Sequence, residues 1–301
     1  MSSTAYFIQF PHPGQEQAPR DMPWNTQTHR RKFLIGSGRY LEDGDAVADA
    51  DLVFWGECEP PSRVITTWPP SGRMPRAIHR PHWIRPARNT ARQNTDPWVW
   101  GERMLYSNCR QTSGSPIRTP NSMQRLTRGS VICFGSTLDG AFCLDTVFVV
   151  GSAEPWDPAH GVAADIDEAF RICTSDPLIA RDDESGVALS CATGALFTLY
   201  RGATVDDPVE GMFSFVPARR ADARDRRFAR PAVRLSIDRI NPANTQSTLG
   251  SKSALRLDEV RDLWDRVRHQ VEAEDLVLGV HLRTPPCEGS ADVPAADRRR
   301  C

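Results

Sequence analysis

Gly129-Ser130-Val131-Ile132-Cys133-Phe134-Gly135-Ser136-Thr137-Leu138-Asp139-Gly140-Ala141-Phe142-Cys143-Leu144-Asp145-Thr146-Val147-Phe148-Val149-Val150 reads as an antiparallel hairpin. Residues 130–135 form one apolar strand, Leu138-Asp139-Gly140 the turn and residues 141–150 the return, because an Asp-Gly pair tolerates the positive φ that a tight turn demands. A hairpin this apolar belongs to the core. Asp145 stands out within it: an acid among apolar residues either points outward by the two-residue alternation of a strand or is buried against an arginine.

Working outward, residues 5–10 read as a strand ended by Pro11-His12-Pro13-Gly14, and residues 26–35 as a short helix closed by Gly36 and Gly38. Residues 51–56 form a largely buried strand and residues 62–68 another, after which a proline–arginine loop runs to Asp96. Residues 98–109 have no clean period and stay open in type. Downstream, residues 164–174 read as a helix stopped before Pro177, residues 194–201 as a strand, and residues 234–240 alternate moderately. The best helix covers residues 258–274, with Leu257, Val260, Leu263, Trp264, Val267 and Val271 on one face and Asp258 as N-cap; residues 276–281 then form a last buried strand. The sum is a mixed, strand-rich α+β domain over residues 1–285, with a seam near residues 154–158 and a disordered tail over residues 286–301.

A chain of 301 residues buries a full core without difficulty, and 24 Pro and 20 Gly point to many short elements. There is no signal-like start and no run of eighteen apolar residues, which predicts a cytoplasmic protein that neither leaves the cell nor spans a membrane. Eight cysteines without a C-x-x-C pair favour reduced, buried thiols over a metal site. No phosphate-binding loop, dinucleotide glycine fingerprint, G-x-S-x-G elbow or H-E-x-x-H is present, so the common nucleotide-hydrolysing and zinc-protease classes are disfavoured and no cofactor or metal is specified.

Net charge is only -1, yet it is a balance of large opposed blocks. Residues 60–138 hold 12 arginines against Asp96 and Glu102, whereas residues 139–216 hold 3 basic against 14 acidic side chains. Between Glu59 and Asp96 the arginines alternate with His79, His82, Trp68, Trp83 and seven prolines, which forbid a long helix and favour an extended cationic loop. Lysine is nearly absent (Lys32 and Lys252), as a GC-rich bacterial genome would produce, so the distribution of arginine is more informative than its abundance. Guanidinium groups fork onto phosphates and indoles stack on bases, so the mixture suits nucleic acid or a nucleotide. The competing expectation is that the basic and acidic blocks neutralise each other inside one domain.

Arg63, Arg76, Arg80, Arg85 and Arg88 are the candidate phosphate contacts and Trp83 the candidate stacking residue. Asn108 and Gln111 carry amides suited to a base edge or a ribose. Residues 93–98 are equally amide-rich but are explained by turn chemistry before Pro97. Glu57 and Glu59 follow a buried strand. Desolvation against Trp55 would raise a carboxyl pKa and make a general acid or base, while pairing with Arg63 would leave it structural. His12 and His29, near Trp24 and Asn25, match no metal spacing.

Two stretches resemble the strand signatures of PUA-like barrels, the group that includes the EVE, ASCH and YTH domains. One is Tyr6-Phe7-Ile8-Gln9-Phe10, then Trp24-Asn25 and Asp51-Leu52-Val53-Phe54-Trp55; the other is Gly129-Ser130-Val131-Ile132-Cys133-Phe134 leading into Thr146-Val147-Phe148-Val149-Val150. The resemblance covers at most the first 150 residues and implies a PUA-like β-barrel core with flanking helices. It also implies nucleic-acid binding, in some relatives by holding a modified base between aromatic side chains, for which Trp24, Trp55 and Trp83 qualify by position. The long arginine loop and the missing glycine-lysine-glutamate-arginine pattern depart from the group. The expected function is recognition or processing of nucleic acid, including a modified or flipped base. The alternative is an enzyme of glycosyl or ADP-ribosyl transfer or hydrolysis acting on a nucleotide or small phosphorylated substrate, with Glu57 or Glu59 as its carboxylate.

Overall fold

A computed structural model describes residues 4–11, 31–42, 46–58, 60, 62–69, 71–72, 74–85, 95–113, 119–120, 122–138, 140–160, 165–179, 197–235 and 254–287. In chain order the strands are β1 (Thr4–Pro11), β2 (Arg31–Glu42), β3 (Ala46–Glu57), β4 (Ser62–Thr67), β5 (Ala77–Pro81), β6 (Leu105–Tyr106), β7 (Thr112–Ser113) and β8 (Thr119–Pro120). They continue with β9 (Val131–Leu138), β10 (Ala141–Trp156), β11 (Phe197–Gly202), β12 (Val216–Arg220), β13 (Ala232–Val233), β14 (Ala254–Arg256) and β15 (Val277–Leu282). Among the described residues two α-helices accompany them: the single turn α1 (Glu168–Phe170), which runs into a π-helical turn (Arg171–Ser175), and α2 (Leu257–Glu272).

Two mixed sheets make the body. One has the order β14-β1-β9-β10-β11-β6 with β13 beside β10; the other has the order β15-β12-β3-β2-β5-β4. β15 also pairs with β2, so hydrogen bonding runs from β2 through β3, β12 and β15 back to β2. β1 lies parallel to β9 and β5 parallel to β2; the other pairings are antiparallel. The sheets are joined where Phe215 and Val147 exchange backbone hydrogen bonds of 2.9 and 2.8 Å, just before β12 enters the second sheet.

The opening hairpin forms as read, β9 against β10, with one irregularity between Leu144 and Thr146. Gly135 makes the close approach possible there, since a Cβ on it would lie 2.2 Å from the Cys143 carbonyl oxygen. Alternation buries both faces. Ile8, Phe10, Ile132, Phe134, Phe148 and Val150 meet Leu34, Leu52 and Phe54 on one side. Phe7, Val131, Cys133, Val147 and Val149 join Phe33, Ile35, Val53 and α2 on the other.

The helix at 257–272 buries Val260, Leu263, Trp264, Val267 and Val271, and the Trp264 indole donates to the Phe213 carbonyl at 3.1 Å. Its cap differs from the expectation. Glu259 accepts from the Arg256 backbone N–H at 3.1 Å, while Asp258 pairs with the Arg256 side chain instead of capping. A larger correction concerns residues 31–35. They form the start of β2 rather than the end of a helix, because β3 lies alongside over twelve residue pairs and overrides local propensity. Residues 234–235 likewise lie outside any strand, and Pro286 and Cys287 run beside Ile84, whose N–H reaches the Pro286 carbonyl at 2.7 Å. Among the described residues no helix is long and apolar enough to cross a membrane, and the six described cysteines are free thiols.

Candidate functional site

The expected sites resolve into two places: an arginine-bearing edge hairpin and a buried charged cluster beneath it. Among the described residues β4 is the last strand of its sheet and pairs with β5 alone, so the hairpin they form carries an edge of the sheet. Its register sets Arg63 directly opposite Arg80. Partners in an antiparallel pair project to the same face with Cβ atoms about 5 Å apart, and like charges so placed repel. Arg63 is exposed; Arg80 donates to Asp51 at 3.1 Å, and that carboxylate, which also accepts from Ser37 at 2.6 Å, is held below its ordinary pKa, chiefly by Ser37. Arg76 precedes β5 and is half-buried. Among the described residues neither Arg63 nor Arg76 has an ion pair. Trp83 is half-buried with its ring 5.2 Å from His82, Arg85 is exposed, and Arg88 lies outside the described residues.

The described carboxylates of the acidic block pair mostly with other arginines. Asp206 meets Arg39, Glu154 and Asp165 meet Arg201, Glu168 and Asp176 meet Arg171, and Asp145 meets Arg230. Arg103, from residues 60–138, does reach the acidic block, at 2.9 Å from Asp207.

The buried cluster begins at the joined ends of β2 and β3. Arg31 and Glu57 are cross-strand partners, and the Arg31 Nε and Nη2 donate to Glu57 Oε2 at 3.0 and 2.7 Å. Both are almost fully buried, at 5% and 4% exposure. Glu57 is therefore shielded from solvent and orients Arg31, as a forked guanidinium–carboxylate pair does. Glu59, the other candidate carboxylate, lies outside the described residues.

Asp145 is the second buried acid. Arg230 Nη1 donates to its Oδ1 at 2.8 Å and to Ser136 Oγ at 2.7 Å, while the Arg230 guanidinium lies 4.5 Å from the centre of the Trp55 ring. Of the two readings open for Asp145, burial against an arginine is the one realised. Burial pushes its carboxyl upward, opposed by Arg230 and then Arg31. Trp55 is thereby covered, with Phe33 at 5.0 Å, and is a core residue rather than an open stacking wall; Trp24 lies outside the described residues.

Asp96 is the third, and it organises a loop. Its Oδ1 accepts from the Ser107 N–H at 2.9 Å and hydroxyl at 3.3 Å; its Oδ2 accepts from the N–H groups of Asn108 at 3.0 Å and Cys109 at 2.6 Å. Burial is the largest influence on its carboxyl, which is lifted to about 6 against the pull of those three amides. Asn108 is thus part of the cluster, its side chain donating to Ser107 Oγ at 2.8 Å. Gln111 is not a ligand group: its amide donates to the Thr198 carbonyl and accepts from the Thr198 N–H, both at 2.8 Å, and is spent on fixing β11. The adjoining Arg110 has φ of 56° and lies 5.4 Å over the Phe10 ring. Cys109 is pushed up to about 12 by burial, so its thiol is inert as a nucleophile.

His79 connects the two places. It faces inward from β5, with Nδ1 3.4 Å from Ser62 Oγ, and burial first, Lys32 second, hold it down to about 4. Lys32, one of two lysines in the chain, is fully buried. His79 is neutral in the folded protein, so the stability it contributes is complete above its ordinary 6.5 and is lost as pH falls toward 4. The gap in melting temperature between wild type and His79→Gln is expected to narrow across that window; a gap constant with pH would contradict a neutral buried imidazole.

Arg31, Lys32, Ser136 and Arg230 escaped sequence reasoning. Asp145 alone left a signal, as a charge out of place. Among the described residues no three His, Cys, Asp or Glu side chains gather as metal ligands. Comparison with family models, curated proteins and solved structures finds no match to the chain.

Proposed function

We propose that the protein recognises nucleic acid through the β4–β5 edge, with Arg63, Arg80 and Arg76 on phosphates, Arg85 and Arg88 extending the contact, and Trp83 stacking on a base. The observation that carries this reading is the cross-strand Arg63–Arg80 pair on an edge strand, with Arg63 lacking a carboxylate partner among the described residues. Two like charges in register cost stability in the free protein, and a phosphate between them removes the repulsion. The acidic block, which was the alternative neutraliser, spends its described ion pairs mostly on other arginines. In the same proposal the strands of the first 150 residues, β1, β3, β9 and β10 among them, are the counterpart of a PUA-like core, and the base presented is a modified or flipped one. Catalysis by Glu57 is the weaker reading, because that carboxylate is buried and already holds Arg31.

Short fluorescent oligonucleotides, single- and double-stranded, of DNA and RNA, test this by anisotropy across a salt series. Affinity is expected to fall steeply with salt, and Arg63→Ala/Arg80→Ala to reduce the log–log slope by about 1.4–1.8, since each phosphate contact contributes about 0.7–0.9. A salt-independent affinity, or an unchanged slope in the double variant, refutes the assignment.

A further inference from the structure

Residues 219–230 carry a second group of arginines, and the fold fastens this segment to the tip of the β4–β5 hairpin. Arg227 makes the joint. Its guanidinium lies 5.6 Å over the Trp68 ring, Nε donates to the Pro75 carbonyl at 3.1 Å, and Nη2 donates to the Pro69 carbonyl at 3.2 Å. With its fork and one π-face spent on the protein, Arg227 is a positioning residue rather than a ligand contact. Arg219 fixes the same segment from below: Nη1 donates to the carbonyls of Asp225 and Arg227 at 3.4 and 3.2 Å, and the guanidinium lies 5.5 Å over Phe228.

This joint has a cation next to it on each of the two segments. Arg76 follows Pro75 and Arg226 precedes Arg227, so each is one residue from the clamp. Both are half-buried, and among the described residues neither has an ion pair. Arg224 is placed differently. It lines a cleft of about 600 Å³ in which the carboxylates of Glu42, Asp222, Asp225, Glu272 and Asp275 outnumber the guanidinium groups of Arg219, Arg220 and Arg224.

We infer that Arg226 is a phosphate contact of the same nucleic-acid surface, which thereby extends from the β4–β5 hairpin onto segment 219–230, and that Arg224 lies outside it. The inference rests on the nucleic-acid reading above and deepens it. Cations that line no acidic cleft raise the potential felt by a polyanion, whereas Arg224 shares a cleft in which five acids outnumber three arginines and adds less to it.

The test is the salt dependence of oligonucleotide binding by wild type, Arg63→Ala, Arg226→Ala and Arg224→Ala. Arg226→Ala is expected to reduce the log–log slope by about 0.7–0.9, the increment for one phosphate, and Arg224→Ala to leave it unchanged. Arg226→Gln, which keeps the stem, replaces the alanine variant should circular dichroism show a loss of fold. An Arg226 slope equal to wild type while Arg63→Ala lowers it would confine the surface to the hairpin and overturn this inference alone. Equal losses in the Arg224 and Arg226 variants would also overturn it. No binding by wild type at low salt would remove the reading beneath it as well.

Discussion

Arg230→Ala is expected to lower the unfolding free energy by about 3–5 kcal/mol, read as a shift of the denaturant midpoint, because it strands the buried Asp145 carboxylate. The two side chains are 5% and 6% exposed, so bulk water does not reach the pair in the wild type. Among the described residues Asp145 Oδ2 has no hydrogen-bond partner, so removing the donor on Oδ1 leaves neither oxygen satisfied by them. Two further losses add to it: Ser136 loses its donor and the Trp55 ring loses the cation above it. Asp145→Leu alone should be comparably damaging, since it leaves a buried guanidinium without its anion. The pair Asp145→Leu/Arg230→Met should recover most of the stability, because well-packed apolar replacements avoid the desolvation cost altogether. A double variant as unstable as either single one would mean that the pair does not act as a unit.

How much of this was legible in the sequence depends on how local the information is. The hairpin at 131–156 and the helix at 257–272 carry their own periodicity and turn residues, and both formed where their patterns placed them. Residues 31–35 failed because their strand is specified from outside. Arg31 is buried only because Glu57 sits across from it, and Lys32 and His79 come together only because β5 returns parallel to β2. The same holds for the site. Asp145 looked anomalous in an apolar strand, yet its partner is 85 residues away and nothing near Arg230 announces it. Gln111 was chosen for its amide in a cationic stretch; the Thr198 backbone that consumes that amide is 87 residues distant. The Arg63–Arg80 juxtaposition is a property of register, which composition does not contain.

Asp96→Asn is expected to destabilise the fold by about 1–3 kcal/mol although it changes a single atom, because three backbone N–H groups face the carboxyl and need acceptors. Ser107 N–H points at one carboxyl oxygen, and the N–H groups of Asn108 and Cys109 at the other. Whichever way an asparagine amide is turned, its NH2 confronts at least one buried backbone N–H that then has no acceptor. Asp96→Ala should cost as much or more, with all three released. The pH dependence separates this from simple loss of packing. Burial lifts the folded-state carboxyl to about 6 from its ordinary 3.8, so the folded chain takes up a proton before the unfolded chain does. Stability attributable to Asp96 therefore rises as pH falls from 6 toward 3.8, by about 3 kcal/mol at 1.36 kcal/mol per pKa unit. Chemical denaturation of wild type and Asp96→Ala side by side should show the gap between them widening on acidification, opposite in sign to the His79→Gln gap. A gap that closes toward acid would mean that the amides outweigh burial and hold the carboxylate ionised.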